Sequence, residues 1–349
     1  MNKILFHRKP HPRSPRKAWR ACFLHPVPVR RYHQRGLALI TAVLVVAIVA
    51  TVAASMGLGQ QIWLRQAQNF NDRAQAEKMA QGALHVAMLI LAEDAKKNNN
   101  STDDLTEDWA RDLPPFSAQG GATTIKILDA QGRFNLNSLM EPGGVVTRPG
   151  EIAVFKRLLE SLALNPELTD ALLDWMDAND QPTLPAGAED IYYLTLPAPY
   201  RTANKPLQSV DELRLVRGFD AKTVDLLRPY VTALPPQTNA VNINTAEARV
   251  LSVLFSPPLS LATAQELVER RNKDRNPFKN PGELTTRASG KSPAVIPGVK
   301  SNYFYVEVQT LFGRLHRSRR ALIDRSSSTG PTILWQESLS GPQPQVAAP

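Results

Sequence analysis

This sequence predicts an α+β fold: one long N-terminal transmembrane helix packed on a small antiparallel sheet, with a large α-helical domain inserted into the path of the sheet. Three observations carry that prediction. The 29 residues between Arg35 and Arg65 contain no charge. Strand-like segments occur near residue 125 and then again only beyond residue 303. About 150 residues patterned for helices lie between them, the signature of an insertion.

Taken in chain order, the first element is the membrane helix. A helix rises about 1.5 Å per residue, so about 20 residues cross the roughly 30 Å apolar core of a bilayer. Leu37–Leu58 meets that length. Ten cations precede it (Lys3, Arg8, Lys9, Arg13, Arg16, Lys17, Arg20, Arg30, Arg31 and Arg35) and no Asp or Glu does. That bias puts residues 1–36 in the cytoplasm and the rest across the membrane. A cleaved secretory signal would have a shorter apolar run. Here Ala67, Phe70, Ala74, Leu84, Ala87, Met88 and Leu91 continue the pattern at three- and four-residue steps until Lys96-Lys97, giving one helix over 37–97.

The leader also explains the charge. Of the net +9, ten positive charges sit in residues 1–36, which leaves the other 313 residues at −1. A neutral body lacks the electrostatic footprint of a nucleic-acid binder, and no nucleic acid is expected as a partner. Hydrophobic content of 43% and charged content of 21% exclude a disordered chain. The single cysteine, Cys22, lies in the leader, so no intrachain disulfide holds the body.

Residues 98–140 hold a polar loop, a short helical stretch around Trp109 and an alternating strand at Thr123–Asp129. Gln131-Gly132 then supplies a turn into Arg133-Phe-Asn-Leu-Asn. Residues 301–336 return to the sheet through Tyr303–Leu311 and Leu315–Ile323, joined at Phe312-Gly313-Arg314, and a weaker strand at Thr332–Trp335. Residues 337–349 read as a disordered tail. The insertion divides into helical subdomains at 141–236 (Glu151–Leu162, Glu167–Met176, Ser209–Val216, Ala221–Leu227) and 237–300 (Thr245–Phe255, Leu261–Asn272 and an element from Gly282).

The N-terminus, Arg35-Gly36 before Leu37-Ala-Leu-Ile-Thr, resembles that of type IV prepilins and pseudopilins. The resemblance implies cleavage after Gly36 by a prepilin peptidase and methylation of Leu37 as the new terminus. Pilins usually carry Glu at mature position five, and Thr41 stands there in this chain. The K-type minor pseudopilins of type II secretion systems lack that Glu. Gly132-Arg-Phe-Asn-Leu-Asn-Ser, Asp174-Trp-Met-Asp-Ala-Asn-Asp, Gly187-Ala-Glu-Asp-Ile-Tyr-Tyr, Tyr200-Arg-Thr-Ala-Asn, Ser209-Val-Asp-Glu-Leu-Arg-Leu-Val-Arg-Gly and Val241-Asn-Ile-Asn-Thr-Ala resemble the same family over about residues 30–325. This implies a pseudopilin fold and a place at the tip of the secretion pseudopilus, where assembly begins. It also implies an inner-membrane location with a periplasmic body. The implied partners are the I-, J- and H-type minor pseudopilins, the major pseudopilin, prepilin peptidase and the inner-membrane assembly platform.

The sharpest local signal is acidic. Asp174, Asp177, Asn179, Asp180, Glu189 and Asp190 place five carboxylates and an amide within 17 residues. Calcium takes six to eight oxygen ligands on a backbone that bends around it. The spacing is not that of an EF-hand, since Pro182 falls where that loop needs Gly. The family is similar in having calcium in its helical domain. The alternative is two solvated helix positions followed by a capped turn. No catalytic residue is expected: His85 and His316 are the histidines beyond the leader, and no nucleophile, phosphate or zinc motif accompanies them. Residues 239–300 carry nine Lys/Arg against five Asp/Glu, including Arg270, Arg271, Lys273 and Arg275, which reads as a solvated basic face. Arg314, Arg317, Arg319 and Arg320 suggest an exposed or subunit-facing strand edge. The rival reading, a membrane-anchored helix-hairpin-helix DNA-uptake protein, lacks its glycine hairpin because Phe255-Ser-Pro-Pro-Leu stands between the helices.

Overall fold

The computed structural model describes residues 35–97, 101–118 and 120–339. The basic leader through residue 34, with Cys22, and the tail from residue 340 lie outside the described residues. Helix α1 spans Arg35–Lys97. Its part through Gln66 is a unit by itself, and the apolar window within it is entirely exposed. Leu39, Val46 and Val49 each show 60% or more of their surface. The polar groups of this stretch are satisfied within the helix: Thr41 Oγ1 donates to Ala38 O (3.0 Å), Thr51 Oγ1 to Ala47 O (2.8 Å) and Ser55 Oγ to Val52 O (2.8 Å). A hydroxyl bonded to its own helix is compatible with an apolar surround.

The second unit begins at Ala67. Five strands, β1 (Phe116–Ala118), β2 (Gly121–Asp129), β3 (Tyr303–Phe312), β4 (Leu315–Asp324) and β5 (Thr332–Ser338), form an antiparallel sheet in sequential order. Alternation sets its register: Ile125 lies opposite Val308, Ile127 opposite Val306, and Phe304 opposite Ile323. These side chains point to one face, where Ala80, Ala83, Leu84, Ala87 and Leu91 of α1 pack on them. Alanines at helical spacing let the helix backbone approach the sheet closely. Gly313, at φ 56°, supplies the positive φ that the two-residue loop between β3 and β4 needs. The opposite face carries Tyr303, Tyr305 and Leu322 against Leu234 of the insertion.

Three expectations about strands require correction. Of residues 133–137, only Phe134–Asn135 are extended, and they pair in parallel with Val231–Thr232 rather than with β2. Asparagine chemistry decides this. The Asn137 amide bonds Leu207 O and Leu234 O (2.8 Å each) and accepts from Leu207 N (2.8 Å), while Asn135 takes Thr238 O (2.8 Å) and Leu234 N (2.9 Å). The edge expected at the arginine-bearing strand β4 is also partly covered: β5 pairs outside it from Asp324 to Arg319, while Arg314 and Arg317 lie beyond that pairing and are exposed. Arg319 forms a bidentate pair with Glu77 of α1 (2.7 and 2.8 Å), and Arg320 pairs with Glu307 (2.7 Å). The last strand also reaches Ser338, two residues into the segment expected as tail.

The insertion comprises α2 (Pro149–Ser161), α3 (Leu168–Met176), α4 (Asp190–Tyr193), α5 (Ala221–Leu227), α6 (Ala248–Val253), α7 (Leu261–Lys273) and α8 (Gly282–Arg287). Val210–Leu215 is a 3₁₀ helix, with Ser209 as N-cap in a capping box, rather than an α-helix. Buried apolar residues from Phe134 to Val299 form one continuous cluster across these helices. Besides the contact through Leu234, hydrogen bonds join the insertion to the sheet where the chain leaves and re-enters it: Asn242 Nδ2 donates to Asp129 Oδ2 (2.8 Å) and Ser301 Oγ (2.9 Å), and Ser301 Oγ donates to Asp129 Oδ2 (2.6 Å).

Next to that joint lies Arg325, 4% exposed. Its guanidinium pairs with Asp94 (2.9 Å) and Asp103, donates to Ser301 O (2.8 Å) and covers the Phe304 ring at 4.6 Å. Removing one partner of a buried ion pair strands the other charges, at a cost of about 3–5 kcal/mol. Arg325→Ala is therefore expected to lower the unfolding free energy of the detergent-solubilised chain by about that amount. Denaturant unfolding of wild type and variant checks it, and an unchanged midpoint would refute the assigned role.

Candidate metal centre

The predicted acidic residues separate into two groups. Asp174 and Asp177 lie at the end of α3, and Glu189 immediately precedes α4. The intervening loop folds back so that carboxylate oxygens of these three residues lie within 4.8 Å of one another. All three are buried. Thr183 N donates to both Asp174 oxygens (3.0 and 3.1 Å). Gly187 lies so close that a Cβ there would stand 2.1 Å from Asp174 Oδ2 and 2.4 Å from Thr183 O, so the return of the loop requires glycine.

Asp180 and Asp190 are not in this set of carboxylates, and Asn179 touches it through Asp177. Asp190 accepts from Thr202 N (2.9 Å), Thr202 Oγ1 (2.9 Å) and Arg201 (2.8 Å), bonds that hold its carboxyl below the usual range. These partners sit in the Tyr200-Arg-Thr motif, whose hydroxyl and cation were the signal that could have assigned Asp190 away from the cluster. Asn179 is exposed, and its Nδ2 donates to Asp177 Oδ2 (2.7 Å). Asp180 is exposed, and its charge reaches Glu189.

The electrostatics are those of an uncompensated anion cluster. Neither oxygen of Glu189 has a hydrogen-bond partner. Desolvation, then the charges of Asp174, Asp177, Asp180 and Asp190, push the Glu189 carboxyl up to about 7. Desolvation also leads in raising Asp177 to about 6. A second carboxylate triad in the same molecule provides the comparison. Asp94, Asp103 and Glu107 converge equally closely, but there the Arg325 guanidinium supplies the positive charge. Among the described residues no Lys or Arg side chain pairs with Asp174, Asp177 or Glu189. Three buried carboxylates, of which Glu189 has both oxygens unpartnered, fit a divalent cation of the calcium type, which Asp174, Asp177 and Glu189 would hold.

With this geometry in view, the comparisons give the class of protein. A family model described as type II secretion system (T2SS), protein K matches residues 132–236, and a second with the same description matches 241–306. The chain belongs to the type II secretion system protein K family, the minor pseudopilins of K type. The type II secretion system protein K of Pseudomonas aeruginosa is 36% identical over 295 residues, covering 81% of this chain and 86% of that protein. Its counterpart in Klebsiella pneumoniae is 33% identical over 314 residues, covering 85% of this chain and 94% of the relative. The fold also matches a chain in the crystal structure of the GspK-GspI-GspJ complex from the enterotoxigenic Escherichia coli type 2 secretion system. That match has a TM-score of 0.65 at 23% identity and covers 79% of this chain and all of that one.

The raised acids give a pH dependence with a definite sign. Unfolded, Asp177 and Glu189 release protons near 3.8 and 4.5; folded and metal-free, near 6 and 7. The folded state holds more protons on these two groups in that window, so their contribution to stability is fully present below about pH 4 and is lost as pH rises through 7. Melting temperatures of chelator-treated chain between pH 5 and 8 are expected to decline more steeply for wild type than for Glu189→Gln. Parallel declines would mean that Glu189 titrates normally.

Proposed function

We propose that this chain is the end subunit of the type II secretion pseudopilus, where it initiates assembly and so supports protein export across the outer membrane. The observation that carries the reading is the placement of the insertion: α1 covers one face of the sheet, and the insertion meets the other through Leu234, Tyr303 and Tyr305. An added helical body on the sheet face opposite the Ala80–Leu91 part of α1 suits a filament end better than a repeating shaft position.

Before assembly the chain sits in the inner membrane with residues 1–36 in the cytoplasm and the body in the periplasm, as the charge bias supports. Prepilin peptidase cuts after Gly36, and Leu37 becomes the methylated terminus. The exposed apolar side chains of α1 then pass from lipid to equivalent helices of the other minor pseudopilins (I, J and H types) and of the major pseudopilin. Neither environment demands their exposure to water. The assembly platform is the site of that transfer. Thr41, with its hydroxyl bonded to Ala38 O (3.0 Å), brings no carboxylate to a neighbouring terminal amine, which supports a position with no subunit ahead of it. Calcium, when bound at Asp174, Asp177 and Glu189, supplies the positive charge that ties the end of α3 to the start of α4. The role is mechanical assembly, with no reaction assigned.

Intact-mass and N-terminal peptide analysis of the protein recovered from membranes, with and without prepilin peptidase, tests the assembly route. The expected product is peptidase-dependent methylated Leu37; a retained leader in both samples refutes processing. Thr41→Glu is expected to reduce secretion while leaving protein level and processing unchanged. For the metal, calcium should raise the melting temperature of chelator-stripped chain more at pH 8 than at pH 5.5, because protons compete for Asp177 and Glu189. Asp177→Ala should abolish the rise, and no rise in wild type would sink the calcium assignment.

A further inference from the structure

The basic run after α6 is not a uniformly solvated face. Arg270, Lys273 and Arg275 are exposed, but Arg271, in the last turn of α7, is 4% exposed. Its Nη1 donates to Ile243 O (2.7 Å) and Ala246 O (2.8 Å), and its Nε to Asn272 Oδ1 (2.9 Å). These are neutral acceptors. The other deeply buried arginine, Arg325, has two carboxylates; Arg271 has no ion-pair partner among the described residues. Asp104 is the acid whose charge reaches it, and Asp104 Oδ1 is already taken by Thr106 N (2.7 Å) and Thr106 Oγ1 (2.6 Å). Burial lowers Arg271 to about 10, which leaves it charged at neutral pH. A buried cation without a counter-charge is costly.

That guanidinium lines a cavity of about 390 Å³. Arg111 and Arg275 line it too, against Asp104 as the acid, so the lining carries a surplus of two positive charges. Asn272 stands beside them, its Oδ1 held by Arg271 Nε, which leaves its amide hydrogens for another acceptor. Arg111 pairs with exposed Asp108 (3.1 Å) at the rim.

We propose that this cavity is an oxyanion site that takes a single carboxylate or phosphate group, with Arg271 as its buried anchor and Arg111 and Arg275 as its rim charges. Guanidinium forks match the planar edge of such groups and bind them with charge-assisted hydrogen bonds. The volume is near the lower end for ligand clefts and admits one anionic head group rather than a polymer backbone.

Isothermal titration of the detergent-solubilised full chain with inorganic phosphate, at ionic strength held constant with chloride, tests the assignment. Saturable binding to one site is expected, weakened roughly tenfold or more by Arg275→Ala and by Arg271→Lys, each of which removes charge-assisted contacts. The exposed Arg275 keeps the test informative should changes at Arg271 disturb the packing of α7. A short Glu-containing peptide titrated in parallel separates the sources. Peptide that displaces phosphate assigns a protein carboxylate, and phosphate binding that the peptide leaves intact assigns a phosphate group. Heat of dilution alone with both probes, or equal affinities in wild type and Arg275→Ala, would overturn the site.

Discussion

The burial of Arg325 is the constraint on which the second unit is organised. Its guanidinium brings together the last turns of α1 through Asp94, the following loop through Asp103, the start of β3 through Ser301 O and Phe304, and the end of β4 from which it projects. A cation cannot be buried without such partners, so these segments are fixed together or not at all. Glu107, a third carboxyl in the same place, is pushed up to about 7, chiefly by desolvation, and thus adds little further negative charge below neutral pH.

From that anchor the insertion follows. Its chain leaves the sheet after Asp129 and returns at Ser301, and those two side chains are hydrogen-bonded to each other (2.6 Å). Loop-closure entropy grows only logarithmically with length, so a long insertion is tolerated once its ends are pinned. Asn242 and Thr245 bond to the same Asp129 carboxylate, which couples the second half of the insertion to the sheet. The asparagines of the Gly132 and Val241 motifs act in the same way: Asn135, Asn137, Asn242 and Asn244 each satisfy buried backbone or acidic groups far away in sequence. Their place in the family pattern is thereby explained by hydrogen bonding rather than by chemistry on a ligand.

Two carboxylate triads show how context separates structure from binding. Both bring three acids within the same distance. One closes around an arginine of the chain, and the other leaves Glu189 without a hydrogen-bond partner. The same contrast distinguishes the arginines, since Arg325 is neutralised internally and Arg271 is not. A missing counter-charge inside a fold points to an external ion more directly than any count of acidic or basic residues.

Much of this was legible in sequence because it depends on local periodicity. The uncharged run set α1, strict alternation set β2, β3 and β4, and Gly313 marked the turn between the last two. The six candidate ligands were likewise visible as an acidic density. Acidic density alone could not divide Asp174, Asp177 and Glu189 from Asp190, because the fold of the loop and the Arg201-Thr202 pair decide where each carboxylate points. Nor could sequence alone show that β5 covers the arginine strand, or that Arg271 is buried while its neighbours are not. Local pattern fixes which backbone each segment adopts and which face is apolar. The partner that a buried charge finds lies outside that local pattern, 25 or more residues away for the carbonyls on Arg271 and more than 200 for the carboxylates on Arg325, and only the tertiary structure brings those together.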